Sequence, residues 1–193
     1  MKPKPEQLTE SLSYEVVVTD RDGREIFREA GPSRSYTELW NKVINAHART
    51  GSNTIKDTGG VDRSVGQSSS NLRANAGVGN VNYGIRVGKG SAPVDISDYA
   101  LETPVGEGTG LDQLSHQEVQ NAQPVVSAPD CSFTIWRVMF NNTGSTVSGI
   151  REIGCYVVMG GYYGLAFRDV LVGAASIPDG GAITVTYTLK VTA

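Results

Sequence analysis

Ile183-Thr-Val-Thr-Tyr-Thr-Leu-Lys-Val191 alternates without a break. Ile183, Val185, Tyr187, Leu189 and Val191 fall on one side, and Thr184, Thr186, Thr188 and Lys190 on the other. Period-two alternation describes a strand with one buried and one wet face. A helix would scatter the same apolar residues round its circumference, and the β-branched and aromatic content favours the pleat.

Working outward, the preceding residues repeat the theme. Phe133, Ile135 and Met139 share one face of the run 133–140, while Trp136, Val138 and Phe140 share the other. A strand apolar on both faces is covered on both sides, inside a sheet or at a subunit contact. Ile153, Cys155, Val157 and Met159 line one face of a third run, and Tyr162 to Leu171 is a fourth. Asn141 to Ser145, Gly160-Gly161 and Pro178 to Gly181 supply the turns. The expectation is four sequential antiparallel strands with no crossover helix. If the Asn141–Ser148 turn joins the strands of Cys131 and Cys155, Cys155 lies opposite a residue near Ile135, so the register argues against a disulfide.

Towards the N-terminus, Tyr14–Thr19 and Arg24–Glu29 read as strands around the hairpin turn Asp20-Arg-Asp-Gly23. Ser35-Tyr-Thr-Glu38 has capping-box spacing, and Leu39, Trp40, Val43, Ile44 and His47 follow helical spacing up to Gly51. The divisions expected are an arm over 1–13, a hairpin plus helix over 14–50, a Gly/Ser-rich extended arm over 51–82 that crosses to a neighbour, and a sandwich core over 83–193. The fold class expected is mainly β: an antiparallel β-sandwich, jelly-roll-like, with an N-terminal β-hairpin and one α-helix.

A chain of 193 residues holds one domain with a real core, or a core plus an appendage. A net charge of −3 argues against a nucleic-acid partner, because phosphate binding needs a basic face. No run reaches the length of a membrane span, and Met1-Lys-Pro-Lys-Pro-Glu-Gln lacks the apolar core of a secretory signal. Two isolated thiols suit synthesis in a reducing cytosol.

The search for chemistry is short. Gly88-Lys-Gly90 lacks the remaining glycines and following helix of a phosphate loop, and reads as a turn. His47 and His116 have no metal-spaced partners, so neither a metal nor a cofactor is expected. Asp95, Asp98 and Glu102 cluster around Tyr99, where a solvated turn competes with a paired-carboxylate hydrolase. Glu152 and Asp169 sit in strands beside Arg151 and Arg168; such charges pair across strands or lie at an interface. The interface alternative is preferred because neighbouring positions are apolar on both faces. The candidate interface residues are therefore Trp136, Val138, Phe140, Arg151, Arg168 and Asp169, with no catalytic residue. Tyr162 and Tyr163 beside Gly160-Gly161 offer a ring platform for a carbohydrate- or receptor-binding module.

Four stretches carry a family likeness: Gly31-Pro-Ser-Arg-Ser-Tyr36; Asp57-Thr-Gly-Gly with Arg63-Ser-Val65; Tyr83-Gly-Ile-Arg-Val-Gly-Lys-Gly90 with Asp98-Tyr-Ala-Leu-Glu102; and the tail containing Asn141-Asn-Thr-Gly, Arg151-Glu-Ile-Gly154, Phe167-Arg-Asp-Val-Leu171, Ile177-Pro-Asp-Gly and Thr186-Tyr-Thr188. On these the chain resembles small virion structural proteins of tailed bacteriophages and related prokaryotic viruses. The resemblance implies a non-enzymatic part made in the host cytoplasm and located in the virion. Its partners would be copies of itself and other virion proteins, major capsid or tail proteins. Capsid decoration or cementing, or a minor capsid component, is the preferred position; a tail, neck, baseplate or fibre-attachment protein is the alternative.

Overall fold

The computed structural model describes residues 9–33 and 35–192. The strands are β1 (Thr9–Thr19), β2 (Glu25–Ser33), β3 (Asn53–Lys56), β4 (Asp62–Val65), β5 (Gly84–Gly88), β6 (Gly106–Glu107), β7 (Gln113–His116), β8 (Gln120–Asn121), β9 (Val125–Ser127), β10 (Asp130–Phe140), β11 (Val147–Met159), β12 (Tyr162–Ile177) and β13 (Ala182–Thr192), with one helix, α1 (Glu38–Ala48), between β2 and β3.

β13 is the axis of the larger sheet. It pairs antiparallel with β1 along Thr9↔Thr192 to Thr19↔Ala182, and with β10 along Asp130↔Thr192 to Phe140↔Ala182. The order continues as β2-β1-β13-β10-β7-β6, with β8 and β9 also on β10. Only the two-residue β6–β7 pairing in this sheet is parallel. The smaller sheet is β12-β11-β5, and β3-β4 is a separate hairpin. Ile183, Val185, Tyr187, Ile135 and Met139 from one sheet and Ile153, Cys155, Val157, Phe167 and Ile85 from the other share one buried core. This is an antiparallel sandwich with an N-terminal hairpin, as the patterns predict. The unequal sheets do not display a jelly-roll strand order.

The four closing strands do not form the sequential set expected. β10 and β13 lie in one sheet, and β11 and β12 pair in the other. Asn141 fastens the point where the chain crosses: it is buried, and its Nδ2 donates to the carbonyls of Ser145 and Ile177, tying the two crossings together. Cys155 therefore pairs with Phe167 and Ile85 within the smaller sheet, not with a residue of β10.

β1 starts at Thr9, so Thr9–Ser13 belong to the sheet rather than to an arm; residues 1–8 lie outside those described. Asp20 closes the hairpin by accepting the amides of Asp22 and Arg24. α1 is shorter than predicted, and its N-cap is Thr37, without a side-chain cap. Thr37 instead gives its hydroxyl proton to the Leu165 carbonyl, while Ser35 Oγ meets Ser33 Oγ at 2.6 Å. A nearby tertiary acceptor has outcompeted the capping box. Leu39 and Val43 bury the helix on β12, where a side chain at Gly164 would strike Leu39.

Residues 51–82 are fastened to their own chain rather than extended. Ile55 and Val65 are core residues. The Leu72 amide donates to Val158, Val158 to Arg73, Thr58 to Tyr163, and Val119 to Ala76. At the end of β5, the Val105 amide donates to Val87 and the Lys89 amide to Thr103. On β12, Thr37 donates to Ala166, Arg168 donates to Ser35, and the Glu29 carboxylate accepts the amides of Val172 and Gly173. Covered edges block unwanted strand pairing. No helix among the described residues is long and apolar enough to cross a membrane.

Candidate functional site

Glu152 and Arg168 point away from the core, on the outer face of the smaller sheet, yet are 0% and 2% exposed. The segment from Lys89 to Val105 covers them as a third layer. Leu101 lies over Gly154, where a Cβ would come within 2.8 Å of its side chain, and its amide donates to the Tyr156 hydroxyl at 2.7 Å. Glu152 is the anchor of this layer. Its Oε1 accepts the amides of Gly90 (3.0 Å) and Thr103 (2.7 Å); its Oε2 accepts the Glu102 amide (3.0 Å) and Arg168 Nε (3.1 Å).

Arg168 continues the network through Nη1, which donates to Asp98 Oδ2 at 3.0 Å and to the Pro93 carbonyl at 3.4 Å. Burial opposes its charge, but Glu152 and Asp98 hold its pKa above the usual guanidinium value. Glu102 accepts the amides of Ala92 and Ser91, which lower its pKa. The glycines of Gly88-Lys-Gly90 make room for this carboxylate: a Cβ at Gly90 would sit 2.6 Å from Glu152 Oε1, and one at Gly88 2.6 Å from the Thr103 carbonyl. Residues from two of the four quoted stretches, Gly90 and Glu102 from one and Glu152 and Arg168 from the other, thus meet at one carboxylate.

Asp169 points the other way, into the sandwich. It accepts Ser33 Oγ at 2.9 Å and the Tyr187 hydroxyl at 3.1 Å, and burial pushes its pKa up despite these bonds. The interface reading of Arg168 and Asp169 is therefore corrected: both are buried and bonded within this chain, Arg168 in an ion pair with Glu152 across β11 and β12. Asp95 behaves as the turn residue expected, accepting the Ser97 amide and hydroxyl.

Two further buried groups escaped the sequence patterns. Arg137, on the core side of β10, gives Nε to Gln117, Nη1 to Ile85, and Nη2 to Gly77 and Asn80, all backbone carbonyls. Burial without a directly bonded carboxylate lowers its pKa to about 10. Beside it, His116 is wholly buried; its Nδ1 lies 2.7 Å from Glu107 Oε2 and 2.9 Å from the Leu114 carbonyl. Burial and the Arg137 charge push its pKa down to about 4, so the contact with Glu107 is a neutral N–H donor on a carboxylate rather than an ion pair. His47, by contrast, lies at the end of α1 with Nε2 3.1 Å from Asn71 Nδ2.

The outer face of the larger sheet holds Trp136, Val138 and Phe140 in one row along β10. Trp136 and Val138 are half-buried, and Phe140 is 40% exposed. Their β13 neighbours are Thr186, Thr184 and Ala182. Arg151 is exposed on β11, in the other sheet. The six candidate interface residues thus fall in four places, and only Trp136, Val138 and Phe140 lie together along one strand face. The Tyr162–Tyr163 platform is occupied from within: Arg63 lies 4.4 Å over the Tyr162 ring, and Tyr163 stacks on Tyr83 at 5.7 Å.

Among the described residues no group of three or more His, Cys, Asp or Glu is arranged to hold a metal ion. Fold and sites together define a β-sandwich whose buried charges serve its own loops and whose larger sheet keeps an outer face open. No protein-family model matches the chain, and no curated protein and no solved structure matches it at a significant level.

Proposed function

We propose that this chain is a non-enzymatic virion structural protein, a capsid-decorating or cementing subunit or minor capsid component, that works through contacts with its own copies and with neighbouring virion proteins. The observation that carries this reading is the row Trp136–Val138–Phe140 on the free face of the larger sheet. Aromatic side chains presented together in a pleated surface are strong anchors for association. The virion setting comes from the resemblance of the motif stretches, and the face supplies the means of attachment.

The test is Trp136→Asp, followed by analytical ultracentrifugation and thermal melting. The expected outcome is loss of self-association with a melting temperature within a few degrees of the parent, since the indole is only half-buried. A variant that assembles like the parent, or a parent that stays monomeric at high concentration, would refute the reading.

A further inference from the structure

We propose that the hollow beside Arg168, on the outer face of the smaller sheet, binds a neutral polyhydroxylated ligand: one sugar ring presenting adjacent hydroxyls. The hollow has a volume of 390 Å³ and is lined by Ser97, Asp98, Tyr99, Ala100, Glu102 and Arg168 among others. It lies on the opposite side of the sandwich from the Trp136 row, so the proposal stands independently of the assembly reading.

The first observation is an unanswered donor. Arg168 is 2% exposed, and its Nη2 is buried with no hydrogen-bond partner. Glu102 Oε2, 3.9 Å from it, is already engaged by the amides of Ser91 and Ala92. Buried donors are nearly always satisfied, so a lone one in the wall of a hollow points to a guest that brings an acceptor.

The second observation is the pair of carboxylates beside it. Asp98 spends Oδ2 on Arg168 and the Asp95 amide, and Glu102 spends Oε2 on two amides. Asp98 Oδ1 and Glu102 Oε1 accept no hydrogen bond among the described residues, and the two side chains are 23% and 50% exposed. The wall therefore offers one N–H donor flanked by acceptors. An anion would be repelled by Asp98, Glu102 and Glu152. An ammonium group has no acceptor to offer Arg168. A hydroxyl both donates and accepts, and two adjacent hydroxyls meet the guanidinium and a carboxylate together.

The third observation is Tyr99, 42% exposed, whose ring packs close to Gly60; a Cβ there would lie 3.3 Å from it. Backed in this way, the ring offers its free surface to the apolar face of a sugar, as aromatic rings in binding sites commonly do. The volume falls in the range of small-ligand sites.

The test uses the full chain and ligand-observed saturation-transfer NMR with glucose, galactose, mannose and N-acetylglucosamine, with inorganic phosphate as the anionic comparison. The expected result is saturable binding of at least one hexose, at a dissociation constant on the order of a millimolar for so small a ligand. The Arg168 guanidinium resonances should shift with it. Tyr99→Ala should weaken that binding about five- to tenfold while leaving the fold unchanged by amide NMR. No hexose binding, binding unaffected by Tyr99→Ala, or phosphate binding more tightly than every hexose would overturn the proposal.

Discussion

Glu152→Gln replaces one carboxylate oxygen with an NH2 group and changes almost no volume, yet it should be among the most damaging substitutions available to this chain. Both carboxylate oxygens face donors: two amides on Oε1, and one amide and the Arg168 Nε on Oε2. An amide group must place its NH2 against one of these pairs. Whichever way it turns, two buried donors lose their acceptor, at about 1–3 kcal/mol each. Arg168 also loses its one fully buried counter-charge, and removing one partner of a buried pair costs roughly 3–5 kcal/mol. These terms overlap, so the expected loss is about 3–5 kcal/mol, a large part of the ~5–15 kcal/mol that holds a typical domain together. Urea denaturation followed by fluorescence measures it. Hydrogen exchange adds a local readout, because the amides of Gly90, Glu102 and Thr103 should lose protection before those of β13. Glu102→Gln, at a half-exposed side chain, is the control and should cost far less. A loss under about 1 kcal/mol for Glu152→Gln, with the loop amides still protected, would refute the idea that this carboxylate holds the third layer.

The other expectations concern titration and reactivity. His116 has its pKa lowered from 6.5 to about 4 in the folded chain, so the unfolded chain takes up a proton first as pH falls. Stability should decline between pH 6.5 and about 4, by roughly 3 kcal/mol in all. His116→Gln should remove that part of the slope in pH-dependent urea titrations; an unchanged slope would contradict the assignment. Burial pushes the Cys155 thiol up to about 12, whereas Cys131 is only partly buried. Iodoacetamide should therefore label Cys131 alone in the native protein and both thiols in urea, as read by mass spectrometry.

The long strands were legible because each buries a side chain at every second position. β13, β10 and the β1–β2 hairpin with its Asp20–Gly23 turn follow directly from that rule. The division of the closing strands between two sheets was not, because Asn141 to Ser145 has the same turn chemistry whether the chain folds back or crosses over. What fastens the crossing is the pair of bonds from Asn141 to Ser145 and to Ile177, the latter thirty-six positions away. The short strands β6 to β9 pair through two to four residues, too few for alternation to emerge from a polar stretch. Of the candidate sites, the aromatic row of β10 was visible as a second apolar face. The destination of Glu152 was not: the sequence flags a carboxylate inside an apolar strand, and says nothing of the amides that come to meet it. Arg137 went unnoticed for the same reason, since all its acceptors are main-chain carbonyls, which leave no mark in the composition.

The separation between Glu152 and the amides it receives has a consequence for the order of events during synthesis. Gly90, Glu102 and Thr103 leave the ribosome 62, 50 and 49 residues ahead of the carboxylate that will hold them, and β13, the partner of β1, comes later still. The earlier segments must wait, unfinished, for the later ones. Assembly of the native state is then a late, nearly all-at-once event of the slow, non-local kind, and nascent chains halted before Glu152 should have nothing to fasten the Lys89–Val105 layer in place.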